Sequence, residues 1–199
     1  MSTQLLSLDT AHTALLSMDL QTAIVSIYTK GDSDLIRRAA AVLKEAREHR
    51  LSVIHVQVGF RPGLPEISLR NPLLSAIKNS VQHQQLFQGA AGAIHSAVEP
   101  QQEDILITKH RISAFAGTDL DMILRARDID TLILFGIATS GVVLSTLLHA
   151  SDADYRLIVV KDCCADLNAE VHGCLVEKVF PRLATVLRAD ECIQVLQAN

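Results

Sequence analysis

The sequence has no tryptophan, and two tyrosines and five phenylalanines bring its aromatic content to only 4% of 199 positions. A core must therefore be built from Leu, Ile, Val and Ala, within an apolar fraction of 49%. That is ordinary composition for sheets covered by helices. Charge is sparse as well: Lys, Arg, Asp and Glu make up 20%, the formal net charge is −4, and there is no dense Lys/Arg run. Without a basic footprint, nucleic acid and anionic membranes are poor partners, and a small-molecule substrate is favoured.

Paired cysteines are missing. Cys163, Cys164, Cys174 and Cys192 all lie toward the C-terminal end without CxxC spacing, which argues against a zinc module or a secreted disulfide framework. None of the eight histidines stands in HxH, HxxxH or HExxH spacing. His55, with Val56 and Gln57 beside it, supplies too few ligands, so no metal is expected. Neither GxGxxG nor a Walker loop occurs, and Gly89 and Gly92 read as a turn, so no cofactor is expected. The N-terminal MSTQLLSLDT has no basic region followed by an apolar stretch, which predicts a cytoplasmic location.

One uncharged run, Thr131 to Ser151, is long enough to mimic a membrane span. Its middle, GIATSG, is too rich in glycine and hydroxyl residues, and it is flanked by Asp128 and Asp130 before and Asp152 and Asp154 after. It reads as strand, tight turn and helix. Further strands are predicted over Thr13–Met18, Leu51–Val58, Asp104–Thr108, Thr131–Phe135, Arg156–Val160 and Ala184–Leu187. Helices are predicted over Ser33–Arg50, Thr118–Arg127, Gly141–Ser151 and Ala169–Val179 and at the C-terminus, with a mostly irregular stretch from Gly59 to Pro100. Near-continuous apolar strands alternating with helices predict one α/β domain over residues 1–199, a doubly wound parallel sheet with helices on both faces.

In such a sheet the ligand crevice lies beyond the carboxyl ends of the strands. Asp19 closes the first strand, Lys109 closes the third, and GIATSG follows the fourth. The turn through Ile137, Ala138, Thr139, Ser140, Gly141 and Val142 would present unpaired amides to a carbonyl oxygen or carboxylate. A hydroxyl cap is the plainer reading of the same turn. Phe60, Arg61 and Asn71 are candidates to line the crevice from the irregular stretch.

The segments MDLQ, TKHRISAFAGTDLDMILRARDIDTLILFG and GIATSGVVLSTLLHASDADYRLIVVKDCCAD resemble, in order and spacing, the three signature blocks of isochorismatase-like hydrolases. The resemblance implies a Rossmann-like three-layer fold, catalytic roles for Asp19 and Lys109, and substrate contacts from Phe115, with Gln21 completing the first block. It also implies a cis peptide between Ile137 and Ala138, and a homo-oligomer, dimer or tetramer. Where the family usually carries its nucleophilic cysteine, this sequence has Val142. In relatives that lack the cysteine, the resemblance implies an aspartate acting as general acid while water completes cleavage. Three alternatives stand beside this reading: a Ser140-dependent amidase using His149, Asp162 or His172; a role for Cys163 or Cys164; and a family member that only binds a ligand or partner.

Overall fold

The computed structural model describes residues 8–30 and 34–198. Most of the N-terminal stretch read for a leader, and Ser33 at the expected start of a helix, lie outside the described residues. Six strands form one sheet: β1 (Thr13–Met18), β2 (Ser52–Val58), β3 (Ile105–Lys109), β4 (Thr131–Gly136), β5 (Arg156–Val160) and β6 (Thr185–Leu187). All pairings are parallel, in the order β3-β2-β1-β4-β5-β6. The helices are α1 (Thr22–Thr29), α2 (Asp34–Glu48), α3 (Pro72–Lys78), α4 (Val81–Gln85), α5 (Gly89–Gly92), α6 (Leu120–Ala126), α7 (Leu144–Asp152), α8 (Ala169–Cys174) and α9 (Ala189–Gln197).

Position in the sheet explains the sequence pattern of each strand. Every residue of β1 and β4 is buried, so these central strands show no alternation. At the edge, β3 alternates, with Leu106 and Thr108 exposed and Ile107 and Lys109 buried. Helix α2 buries Leu35, Ile36, Ala39, Val42, Leu43 and Ala46 on one face and leaves Arg37 and Lys44 in water. Each fully buried Leu or Ile of that face stabilises the fold by about 1.5–3 kcal/mol. Helices α2 and α9 pack against each other, while α7 lies against β5.

After β1 the chain builds outward through β2 and β3, then returns to the other side of β1 with β4. The strand order therefore reverses between β1 and β4, and right-handed crossovers put the helices of the two halves on opposite faces. The uncharged run at Thr131–Ser151 is β4, a turn and most of α7. No helix among the described residues is long and apolar enough to cross a membrane.

Arg47 binds the nearly buried carboxylate of Asp104 at 2.5 Å, and His55 Nε2 lies 3.2 Å from the same oxygen. Burial pushes the His55 imidazole below its usual pKa. The cluster fastens α2 to the start of β3, which gives His55 a structural place. Among the described residues no three His, Cys, Asp or Glu side chains gather as a metal site.

Gly136 ends β4 beside Met18, at φ 151°. A Cβ there would collide with the Met18 carbonyl oxygen, and both neighbours are held by the sheet. Gly136→Ala is expected to destabilise the protein by at least about 2 kcal/mol, read as a lowered urea midpoint at unchanged slope. An unchanged midpoint would contradict this close approach of β1 and β4.

Candidate active site

Asp19 leaves β1 in the left-handed region, at φ 55°, while its N–H still donates to the Val56 carbonyl at 2.8 Å. A short polar side chain tolerates that conformation better than a branched one, and the bend turns the carboxylate out of the sheet. Lys109 ends β3, and its Nζ lies 2.8 Å from Asp19 Oδ2, with side-chain exposures of only 3% and 7% for lysine and aspartate. Nζ also donates to the Arg111 carbonyl at 3.1 Å. The other carboxylate oxygen, Oδ1, is buried with no hydrogen-bond partner among the described residues. Burial raises the Asp19 pKa above the usual carboxylate range, and the Lys109 ammonium opposes that shift.

Both residues line a cavity of about 380 Å³. Its floor includes Ile137, Ala138, Gly141 and Val142 from the turn after β4. Helix α1 contributes Ile24, Ile27 and Tyr28, and α3 contributes Leu73, Leu74 and Ile77. Phe87, Arg111 and Ile112 are further parts of the wall. Apart from the Asp19–Lys109 pair the chamber is largely hydrocarbon, an environment that strengthens electrostatic interactions made within it.

The turn itself differs from the expected amide cradle. The Ile137–Ala138 peptide is cis. The Thr139 N–H donates to the Ala165 carbonyl at 2.8 Å, the Ser140 N–H to the Asp166 carboxylate at 2.8 Å, and those of Gly141 and Val143 to the Ala138 carbonyl at 3.1 and 3.3 Å. Two of these four amides close the turn on itself and two tie it to the segment after β5. Gly141 interrupts the helical path at φ −100° and ψ −105°, so regular α7 begins only at Leu144.

Of the residues singled out in the sequence, Asp19, Lys109, Ile137, Ala138, Gly141 and Val142 meet at the chamber. The others sit outside its lining. Gln21 is buried and fully engaged: Oε1 accepts from the Val58 N–H at 2.8 Å, and Nε2 donates to the carbonyls of Val58 and Gly92 at 3.0 and 2.6 Å. It ties α1 to β2 and to α5. Phe60 and Arg61 line a separate cavity of about 280 Å³, where Phe60 meets Phe87 edge-on at 5.7 Å and so supports the chamber wall from behind. Asn71 caps α3.

Phe115 is buried and stacks on the His149 ring at 4.4 Å. Thr139 Oγ1 pairs with His172 Nδ1 at 2.9 Å, and Ser140 is exposed. Asp162 is 3.5 Å from both Arg38 and Arg188. The three partners proposed for a Ser140 triad thus have other engagements. Cys163 and Cys164 are buried away from the chamber lining, and burial pushes both thiols up, that of Cys164 to about 12. Neither forms a thiolate readily.

Most of the chamber wall was not singled out in the sequence. Tyr28 and its α1 neighbours lie in TAIVSIYT, a β-branched stretch with weak helical character. Arg111 and Ile112, just beyond Lys109, were wall residues that proximity to the third strand's end could have marked.

A doubly wound α/β sheet with a buried carboxylate–ammonium pair at its switch point defines the class of protein. The isochorismatase domain model matches residues 13–191. An uncharacterized isochorismatase family protein YecD of Escherichia coli O157:H7 is 31% identical over 195 residues, covering 96% of this chain and 100% of the relative. The ureidoacrylate amidohydrolase RutB of Rhizobium rhizogenes is 31% identical, covering 97% and 87%. A solved isochorismatase family protein from Burkholderia thailandensis superposes with a TM-score of 0.82 at 28% identity, covering 96% and 98%. The chain belongs to the isochorismatase family.

Proposed function

We propose that this protein hydrolyses a small metabolite without a thiol nucleophile, with Asp19 moving the proton and Lys109 holding the site's charge in balance. The observation that carries this reading is the division of labour within one carboxylate of a chamber-lining residue: Oδ2 is held by Lys109, while Oδ1 is buried without a partner among the described residues. A buried acceptor left unmet costs about 1–3 kcal/mol, and a bound water or substrate proton would remove that cost. In the ionised state Oδ1 takes a proton from water as the water oxygen attacks the electrophilic carbon of the substrate. The carboxyl then returns the proton to the departing nitrogen or oxygen. Lys109 holds Oδ2 throughout.

Val142, at the position where the resemblance puts cysteine, has no lone pair to attack with, so the amidase route implied by the relatives' thiol is replaced by attack of water. Ile137, Ala138, Gly141 and Val142 contact the substrate. Gln21, Phe60, Phe115, Thr139 and Ser140 shape the chamber from outside. We further propose that the chain works as one domain, as a dimer or tetramer, with no cofactor. The test is a turnover screen over small amides, ureides and enol ethers, with thermal shift on the same panel. Turnover supports the hydrolase, and binding throughout without turnover replaces it with a ligand-binding member of the family.

Position 142 can be tested directly. Val142→Cys would put sulfur in the chamber with the Lys109 ammonium and the Asp19 carboxylate. The new thiol is expected to react with iodoacetamide near pH 7 at least about tenfold faster than the exposed native Cys174, followed by peptide mass mapping. Lys109→Ala should slow that reaction. A folded variant whose new thiol reacts no faster than Cys174 would make Val142 a packing residue only.

A further inference from the structure

The chamber wall carries few polar side chains: Asp19, Tyr28, His83, Lys109 and Arg111. His83 and Arg111 are open to solvent, and each donates to a backbone carbonyl, that of Ala76 at 3.2 Å and that of His110 at 2.7 Å. Lys109 is taken up by Asp19 and the Arg111 carbonyl. Within the wall itself two polar groups are left over: Asp19 Oδ1, an acceptor, and the Tyr28 hydroxyl, neither with a hydrogen-bond partner among the described residues. Tyr28 stands one helical turn after Ile24 on α1, so both side chains share the face turned to the chamber. Burial first, and then the carboxylates of Asp166 and Asp19, raise the pKa of the phenol, which therefore keeps its proton and remains a donor. Apart from Gly141, the other lining residues are aliphatic or aromatic, and exposed Ile27, Leu73, Ile112 and Leu167 carry that apolar surface outward.

We infer that Tyr28 is a specificity-determining residue: it donates to a carbonyl oxygen of an uncharged ligand with an apolar body, while Asp19 Oδ1 accepts from the same ligand group. The inference rests on the hydrolase reading only in calling that ligand a substrate. One free donor and one free acceptor in a hydrocarbon wall call for a neutral group that supplies the complementary pair, as a carboxamide does. A carboxylate brings acceptors alone. It would leave Oδ1 unmet and set a second anion beside Asp19, where Lys109 is already balanced and offers no free charge. A bare hydrocarbon fills the chamber but leaves both polar groups dry. Discrimination of this kind is stronger than discrimination by shape, because the wrong ligand strands a group that the right one satisfies.

The probes are 3-phenylpropanamide, 3-phenylpropanoate and ethylbenzene, which share one body and differ in the polar group. Titration of the full-length protein near pH 7, followed by amide NMR shifts, is expected to show the carboxamide binding about tenfold more tightly than the carboxylate. The shifts should centre on Ile24, Ile77 and Val142, which line the chamber. Tyr28→Phe removes one oxygen and keeps the ring; it should weaken the carboxamide about fivefold and leave ethylbenzene unchanged. A carboxylate that binds as tightly as the carboxamide, no binding of the carboxamide, shifts centred elsewhere, or a Tyr28→Phe variant that weakens neither probe or both equally would each overturn the assignment. Ammonia release from 3-phenylpropanamide separates the two readings. A Tyr28-dependent preference for the carboxamide, with no turnover of any compound, keeps the ligand class and removes the hydrolase; turnover without that preference does the reverse.

Discussion

Asp19→Asn is expected to lower turnover of any substrate found by about a thousandfold while substrate binding is largely kept. The amide matches the carboxylate in size and still accepts from Lys109, but it can neither take a proton from water nor return one. The effect should therefore fall on kcat. A matched pH profile sharpens the test. Burial holds the Asp19 pKa above the usual carboxylate range, and the ionised form is the one that activates water. Activity is thus lost as pH falls through that raised value, so the acid limb should lie above pH ~4, the ordinary aspartate value. An Asp19→Asn variant with near-normal kcat, or an acid limb at the ordinary value, would remove Asp19 from proton transfer.

The second large effect is on stability. Lys109→Met removes the cation that, among the described residues, alone is bound to an almost completely buried carboxylate. Breaking such a pair from one side costs about 3–5 kcal/mol, because the remaining charge is stranded. The variant should unfold at a markedly lower denaturant midpoint, and part of the loss should return as pH is lowered and Asp19 becomes neutral. Asp19→Asn/Lys109→Met, with no charge left to strand, should recover most of it. If the double variant is no more stable than Lys109→Met alone, Asp19 and Lys109 are not energetically coupled despite their 2.8 Å contact.

The sheet was legible because its central strands β1 and β4 are buried along their whole length and β2, β3 and β5 also carry apolar runs. The sequence predicts strands at Thr13–Met18 and Arg156–Val160 with the observed bounds, and the other four within one residue at each end. The two polar ends that matter, Asp19 and Lys109, stood out because each terminates such a run. The chamber wall was not legible for the opposite reason. Its apolar residues come singly or in pairs from α1, α3 and the stretch around Phe87, where helices of a few residues give no usable period. Gly89 and Gly92, read as a turn, bound the short helix α5. Gln21 shows a limit of another kind. Its place in the first block of the resemblance suggested a ligand contact, whereas its amide is engaged with Val58 and Gly92, a fact that only the folded chain displays.

The carboxylate and the ammonium lie at the ends of strands that are not neighbours: β2 stands between them, and their distance is set by two hydrogen-bonded ladders. A slip of one residue in either ladder would turn Lys109 to the opposite face and leave Asp19 dehydrated and alone. During folding, a chain that docked these distant segments wrongly would carry that penalty at once, before any side chain elsewhere had settled. A sheet in the wrong register would therefore forfeit this pair, so the electrostatics that serve the chemistry also favour the native alignment.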